Sequence, residues 1–180
     1  AAAISTQAEK LQTLIEALVK TSRLETGILA LHPQSGEIAP VVERAVAQYA
    51  PKAAEKDITL TVGQRSGSAV FDAKWTEEAV CNLLDNAIKY TPSDGTVTVE
   101  VKNYELFSAI RVADTGPGIS EEEQAQIFGR FYRASGAWQA EGVGIGLYLT
   151  RQIAEKQGGY VKVESTPGKG SVFSLFLPRP

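Results

Sequence analysis

The sequence predicts a two-layer α/β (α+β) sandwich: one mixed, mainly antiparallel sheet covered on one face by helices. Three observations carry this. TVTVEVKN (96–103) and LFSAIRVAD (106–114) are strand-like runs separated by a short polar turn, the pattern of a β-hairpin. GYVKVES (159–165) and GSVFSLFLP (170–178) repeat that pattern across TPGKG. Before and between these pairs, apolar residues recur every three or four positions, as amphipathic helices require.

Taken in order, residues 4–26 form one long predicted helix with Leu11, Leu14, Ile15, Leu18, Val19 and Leu24 along one stripe. Gly27 ends it. No second helix follows to cover the stripe, and a lone amphipathic helix is marginal in water, so the stripe needs a partner. Residues 28–36, with Pro33 and Gly36, read as a linker. A helix over 40–57 carries Val42, Ala45, Val46 and Tyr49 on one side. DITLTV (57–62) alternates as a strand, and 68–71 form a short one. A helix spans 75–91. Ser120 and Glu123 fit a capping box for a helix through Phe128. Glycine-rich sequence at 142–146 precedes a last helix ending at Gln157.

With 180 residues and 43% apolar content, the chain has enough core for one ordinary domain. The 21 acidic and 18 basic residues give a net charge of −3 with no basic block, which argues against nucleic acid as a partner. One cysteine excludes an internal disulfide. No apolar run is long enough to cross a bilayer, and no signal peptide is visible. The start AAAISTQAEK and the absence of methionine suggest a fragment or an engineered chain.

NLLDNAIKYTPSDG (82–95) carries the first chemical signal. On a helical wheel Val80, Leu83, Leu84, Ala87 and Ile88 gather on one side, with Glu78, Asn82, Asn86, Lys89 and Tyr90 roughly opposite. Asparagine oxygens are hard, neutral ligands for magnesium, which takes few protein ligands. Their amide nitrogens can donate to phosphate, and Lys89 adds a point charge. By itself this face fits a polar surface helix better, since asparagines on a surface are common. DTGPGIS (114–120) follows a strand: Asp114 is an acceptor-only carboxylate, and Gly116 and Gly118 let backbone approach a flat ligand. Such a carboxylate could accept a hydrogen bond from an exocyclic amine such as that of adenine, an interaction of about 1.5–3 kcal/mol. EGVGIGLYLTRQIAEKQGG (141–159) places Gly142, Gly144 and Gly146 before a helix, where bare N–H groups form an anion site. The spacing is neither the dinucleotide fingerprint nor the P-loop.

These three segments in this order resemble the catalytic ATP-binding domain of bacterial sensor histidine kinases, part of the ATPase superfamily shared with gyrase, Hsp90 and MutL. The resemblance covers about 37–178. NLLDNAIKYTP is similar to the N box, DTGPGIS to the first glycine box, IFGRFYRA (127–134) to the F box and EGVGIGL to the second glycine box. LVKTSRLETG (18–27) looks like the end of the second dimerisation helix. The resemblance therefore implies two parts: 1–30 as the tail of that helix, and 31–180 as a Bergerat-type catalytic and ATP-binding domain.

By resemblance, Asn82 and Asn86 would hold Mg2+ and phosphates, Lys89 would contact phosphate and Tyr90 would line the pocket. Asp114 would receive the adenine amine of ATP, with Gly116, Gly118 and Ile119 shaping the wall around the base. Arg130 or Arg133 would reach the γ-phosphate, and Gly142, Val143, Gly144, Ile145, Gly146 and Leu147 would close over the phosphates. Residues 129–141 would form a lid carrying Trp138. Two positions depart from the family pattern: Gly129 replaces an acidic residue and Val143 a threonine. Neither is a principal binding group; a lost hydrogen bond costs roughly 0.5–1.5 kcal/mol.

Asn82 stands where hydrolysing relatives commonly carry glutamate, and an amide is no base at neutral pH, which favours transfer over hydrolysis. In the family a histidine on the first dimerisation helix attacks the γ-phosphorus and passes the phosphoryl group to a response-regulator receiver aspartate. The partners implied are a dimerisation domain, its own or that of a sister chain in a homodimer, and the receiver domain. The segment would be the cytoplasmic portion of a parent that is often membrane-anchored. The acceptor histidine would lie upstream of residue 11. The sole histidine, His32, reads as a surface loop residue, and Cys81 as an inert packed thiol.

Overall fold

The computed structural model describes residues 2–133 and 144–180. Val143, Gly142 and Trp138, and most of the expected lid, lie outside the described residues. The elements are α1 (Ala2–Glu25), β1 (Gln34–Glu37), α2 (Ala39–Glu55), β2 (Thr59–Val62), β3 (Ser68–Phe71) and α3 (Ala73–Tyr90). They continue with β4 (Thr96–Asn103), β5 (Phe107–Asp114), α4 (Glu121–Gln124), α5 (Gly146–Lys156), β6 (Tyr160–Thr166) and β7 (Gly170–Pro178).

The main sheet runs β2-β4-β5-β7-β6, with β2 parallel to β4 and every other pairing antiparallel. Both expected hairpins are present, β4–β5 and β6–β7. Strand alternation sends Val97, Val99, Val101, Ile110, Val112, Phe173, Leu175 and Leu177 into one core with Val80, Leu83, Leu84, Ala87 and Ile88 of α3. The helix wheel and the strand period thus meet on the same layer. The opposite face of the sheet carries the Arg111–Glu100 pair, 2.8 Å apart between directly opposed residues of β4 and β5. At one corner of that face Tyr160 stacks on its register partner Phe176 at 4.3 Å.

Local chemistry sets the ends of α3. Asp72 caps its start, Oδ1 accepting from Trp75 N–H at 3.1 Å. The Asp72 N–H in turn donates to Oε1 of the buried Gln157, just past α5, at 2.5 Å. Gln157 Nε2 donates to Thr76 Oγ1 at 3.2 Å, so one amide ties the end of α5 to the start of α3. At the other end Lys56 Nζ donates to the carbonyls of Ile88 and Lys89 at 2.9 and 2.7 Å, satisfying acceptors the helix leaves open.

Three expectations are corrected. The segment 28–36 is not all linker: 34–37 form β1, which pairs antiparallel with β3 in a separate two-stranded sheet. QSGE has no apolar alternation to advertise a strand, and its pairing is a backbone matter. Because β1 and β3 pair with each other, the strands among the described residues make two sheets, five-stranded and two-stranded, not one. The helix expected through Phe128 stops at Gln124. Its cap forms as expected, Ser120 Oγ accepting from Glu123 N–H at 3.3 Å. The chain then leaves the helix in turns that bury Ile127 and set Phe128 edge-on to Phe173.

The α1 stripe is only partly covered. Leu24 is buried and α1 packs on α5, while Leu11, Ile15 and Val19 remain exposed at 57%, 51% and 42%. Replacing Leu83, which is fully buried, by alanine is expected to cost about 2–5 kcal/mol in urea unfolding. Lys102→Ala on the open sheet face is expected to stay within about 0.5 kcal/mol of the parent.

Candidate functional site

The polar side of α3 faces a cavity of about 580 Å³. Asn82, Asp85, Asn86, Lys89 and Tyr90 line it and are all half-buried, the exposure expected of side chains aimed into a cleft. Asp114, Gly118 and Ile119 form the wall across from them. Gly144, Ile145, Gly146 and Leu147, at the start of α5, form a third side. Asn82 Nδ2 donates to Gly146 O at 3.3 Å, joining the asparagine face to the glycine segment directly.

Asp114 ends β5, where the sheet hands the chain to the DTGPGIS loop. Its Oδ1 accepts from Gly116 N–H at 2.8 Å, and the backbone of its register partner Ser171 donates to the same carboxylate. Burial pushes the Asp114 carboxyl above the usual aspartate range, and the two backbone donors offset part of that rise. The loop needs its glycines. A Cβ on Gly116 would lie 2.8 Å from Asp114 Oδ1 and 3.2 Å from Tyr90 O. Gly118 has φ +74°, and a Cβ there would lie 2.2 Å from Thr166 O. The loop is thus threaded between the end of α3 and the β6–β7 turn, which holds Asp114 opposite the asparagines.

The two candidate arginines part company. Arg133 lines the cavity. Arg130 lies outside its lining: its guanidinium pairs with Glu25 at the end of α1 and donates to Tyr148 OH at 3.0 Å. The Tyr148 hydroxyl and Arg130 together hold the exposed Glu25 carboxyl below its ordinary range. Lys89 is the better buried cation, its side chain 19% exposed and its Nζ 3.4 Å from Asp85 Oδ2.

Sequence reasoning missed several wall residues. Thr13, Glu16, Ala17 and Lys20 of α1 border the cavity, and Lys20 Nζ lies 2.9 Å from Glu78 Oε1. Nothing local in a helix announces which domain face it will lie on, so no signal could have placed them. Ser171 and Phe173 of β7 also line the cavity, and the strand period that made Leu175 and Leu177 core residues points to them. His32 is exposed in its loop, its backbone N–H donating to Asp72 Oδ2 at 2.9 Å. Cys81 is buried, which raises its thiol to about 11, so it stays protonated at neutral pH.

Residues 71–180 match the family described as histidine kinase-, DNA gyrase B- and HSP90-like ATPase. The chain belongs to that family. The part matched begins just before α3 and takes in every cavity wall except the one built by α1. This histidine kinase-, gyrase- and HSP90-like domain is therefore a nucleotide-binding unit with a helix laid beside its cavity. Sensor protein kinase PmrB of Pseudomonas aeruginosa is 33% identical over 177 residues, covering 98% of this chain and 37% of that protein. The mycobacterial sensor histidine kinase MprB is 28% identical in its solved structure, with a TM-score of 0.74 over 82% of this chain and 99% of that one. The fold of ShkA, solved full-length with AMPPNP, superposes with a TM-score of 0.84 over 98% of this chain and 37% of that one, at 24% identity. The chain spans 24% of the length of the circadian input-output histidine kinase CikA of Synechocystis sp. and 43% of the adaptive-response sensory kinase SasA of Rippkaea orientalis, less than half of each. Among the described residues no helix is long and apolar enough to cross a membrane.

The raised Asp114 value has a sign. A carboxyl whose folded value exceeds its unfolded one gives stability at low pH that is lost as pH rises through the folded value. Asp114→Asn is therefore expected to be more stable than the parent at pH 7, with the gap closing as pH falls toward 4. Urea unfolding of both proteins across that range measures it; a gap independent of pH contradicts the assignment.

Proposed function

We propose that the chain is the ATP- and magnesium-binding catalytic domain of a sensor histidine kinase, 31–180, preceded at 1–30 by the end of a dimerisation helix. The observation that carries this is the convergence of the asparagine face, Asp114 and the start of α5 on one cavity. Asp114 accepts the adenine amine, with Gly116, Gly118 and Ile119 around the base. Lys89 and Arg133 meet the phosphates, and Tyr90 lines the pocket. Arg130 takes a phosphate only on leaving Glu25 and Tyr148. Gly144 through Leu147 offer the helix start to the triphosphate.

The donor chemistry of Asn82 and Asn86 fits magnesium. Asn82 and Asn86 stand one turn apart on a cavity wall, and their amide oxygens are hard, neutral donors. A bound magnesium ion would supply charge neutralisation for the phosphates. The chain's own side chains orient the triphosphate. Asn82 is an amide, and the carboxylates one turn to either side of it on α3 are both paired, Glu78 with Lys20 and Asp85 with Lys52 and Lys89. The phosphoryl acceptor is a histidine of a dimerisation domain, own or sister chain. Its imidazole nitrogen bonds to the γ-phosphorus as the bond to the β-phosphate oxygen breaks and ADP leaves. A response-regulator aspartate then takes the group. The exposed α1 stripe supports a helical partner in the intact kinase.

Titration with a fluorescent ATP analogue tests the reading. Saturable binding that tightens with magnesium is expected. Asp114→Asn is expected to weaken it by about tenfold or more, since a charge-assisted hydrogen bond is lost. Asn82→Ala is expected to remove most of the magnesium dependence. A folded chain that binds no analogue contradicts the proposal. Acid-labile label on an added histidine-bearing domain would mark transfer; steady phosphate release by this chain alone would mark a hydrolase.

A further inference from the structure

We propose that Lys52, on α2 and outside the cavity, is a positioning residue for phosphate binding: it occupies Asp85 and so keeps the Lys89 ammonium available to the triphosphate. The proposal rests on the nucleotide reading above and deepens it.

Asp85 sits on the polar side of α3 midway between two ammonium groups. Lys52 Nζ lies 2.5 Å from its Oδ1, and Lys89 Nζ lies 3.4 Å from its Oδ2. The carboxylate is thus divided between a cation from the neighbouring helix and a cation of the site, and the neighbour holds the shorter contact. Lys89 and Asp85 are four residues apart on one helix, a spacing that favours pairing. With Lys52 gone, nothing among the contacts at Asp85 would divert its charge, and the carboxylate would close on Lys89. An ammonium neutralised that way is a poor phosphate ligand. Lys56, the residue capping α2, holds the Ile88 and Lys89 carbonyls at 2.9 and 2.7 Å, so the end of α2 grips Lys89 at its backbone as well. The Lys52 side chain is about half exposed, so its pairing with Asp85 is an arrangement of charge at the surface and not a core contact.

The test is a double-variant cycle in the full chain, read as affinity for a non-hydrolysable ATP analogue and, by amide shift titration, for adenosine. Lys52→Met is expected to weaken the ATP analogue about three- to tenfold and leave adenosine unchanged. Lys52→Arg is expected to keep the parent's affinity. In an Asp85→Asn background, Lys52→Met is expected to change the ATP analogue by less than about twofold, because the carboxylate it restrains is absent. An equal loss in both backgrounds marks a simple charge-field effect and overturns the proposal. So does an equal loss for adenosine and ATP analogue, which marks a structural role, and so does no loss at all. A folded parent that binds no ATP analogue overturns the nucleotide reading itself, whereas a parent that binds normally while the cycle shows no coupling overturns only the role of Lys52.

Discussion

The structure depends on α3 serving two environments at once. Its apolar side must fill the layer above the sheet with Val80, Leu83, Leu84, Ala87 and Ile88. That burial fixes the rotation of the helix about its own axis, and the rotation aims Asn82, Asn86 and Lys89 into the cavity. The site is therefore positioned by hydrophobic packing, which is nondirectional, through helical geometry, which is not. The ends are tied separately: Asp72 and Gln157 at the start, Lys56 at the finish. Those ties resist sliding of the helix along its axis, the one displacement that packing alone restrains weakly.

The same economy governs the wall opposite. Asp114 stands at the end of a central strand, where register with β7 brings the Ser171 backbone to its carboxylate and the following loop adds the Gly116 N–H. Holding an ionised carboxylate half-buried is unfavourable for the isolated domain, and the raised value expresses that cost. A ligand that donates a hydrogen bond to Asp114 relieves it. Stability and recognition pull on this residue in opposite directions, as is common where a site is built in advance of its ligand.

Much of this was legible in the sequence, and the reason is local periodicity. The wheel of 75–91 separates core from cavity residues without help from tertiary contacts, and both hairpins announce themselves by alternation. Legibility failed where an element has no periodic signal or where its role is set by distant packing. QSGE forms a strand by backbone pairing alone. The helix after Ser120 ends early because Ile127 and Phe128 find better burial outside the helical path. Arg130 looked like a phosphate ligand by motif, yet it lies against Glu25 and Tyr148 because α1 happens to end there. Lys20 meets Glu78 for the same reason. The helix that the sequence could only describe as in need of a partner is thus the element that contributes the contacts motif reasoning could not supply. Beyond its packing on α5, α1 sets Lys20 against Glu78 and Glu25 against Arg130 and Tyr148.

The central claim is that three chain segments make one adenine nucleotide cavity. Amide shift mapping of the labelled chain with a non-hydrolysable ATP analogue and magnesium tests this most directly. The account predicts that shifts gather at 82–90, 114–119, 144–147 and 171–173, while Arg111, Tyr160 and Phe176, whose side chains lie on the far face of the sheet, stay still. Shifts absent from a folded chain, or gathered on that far face, would contradict it.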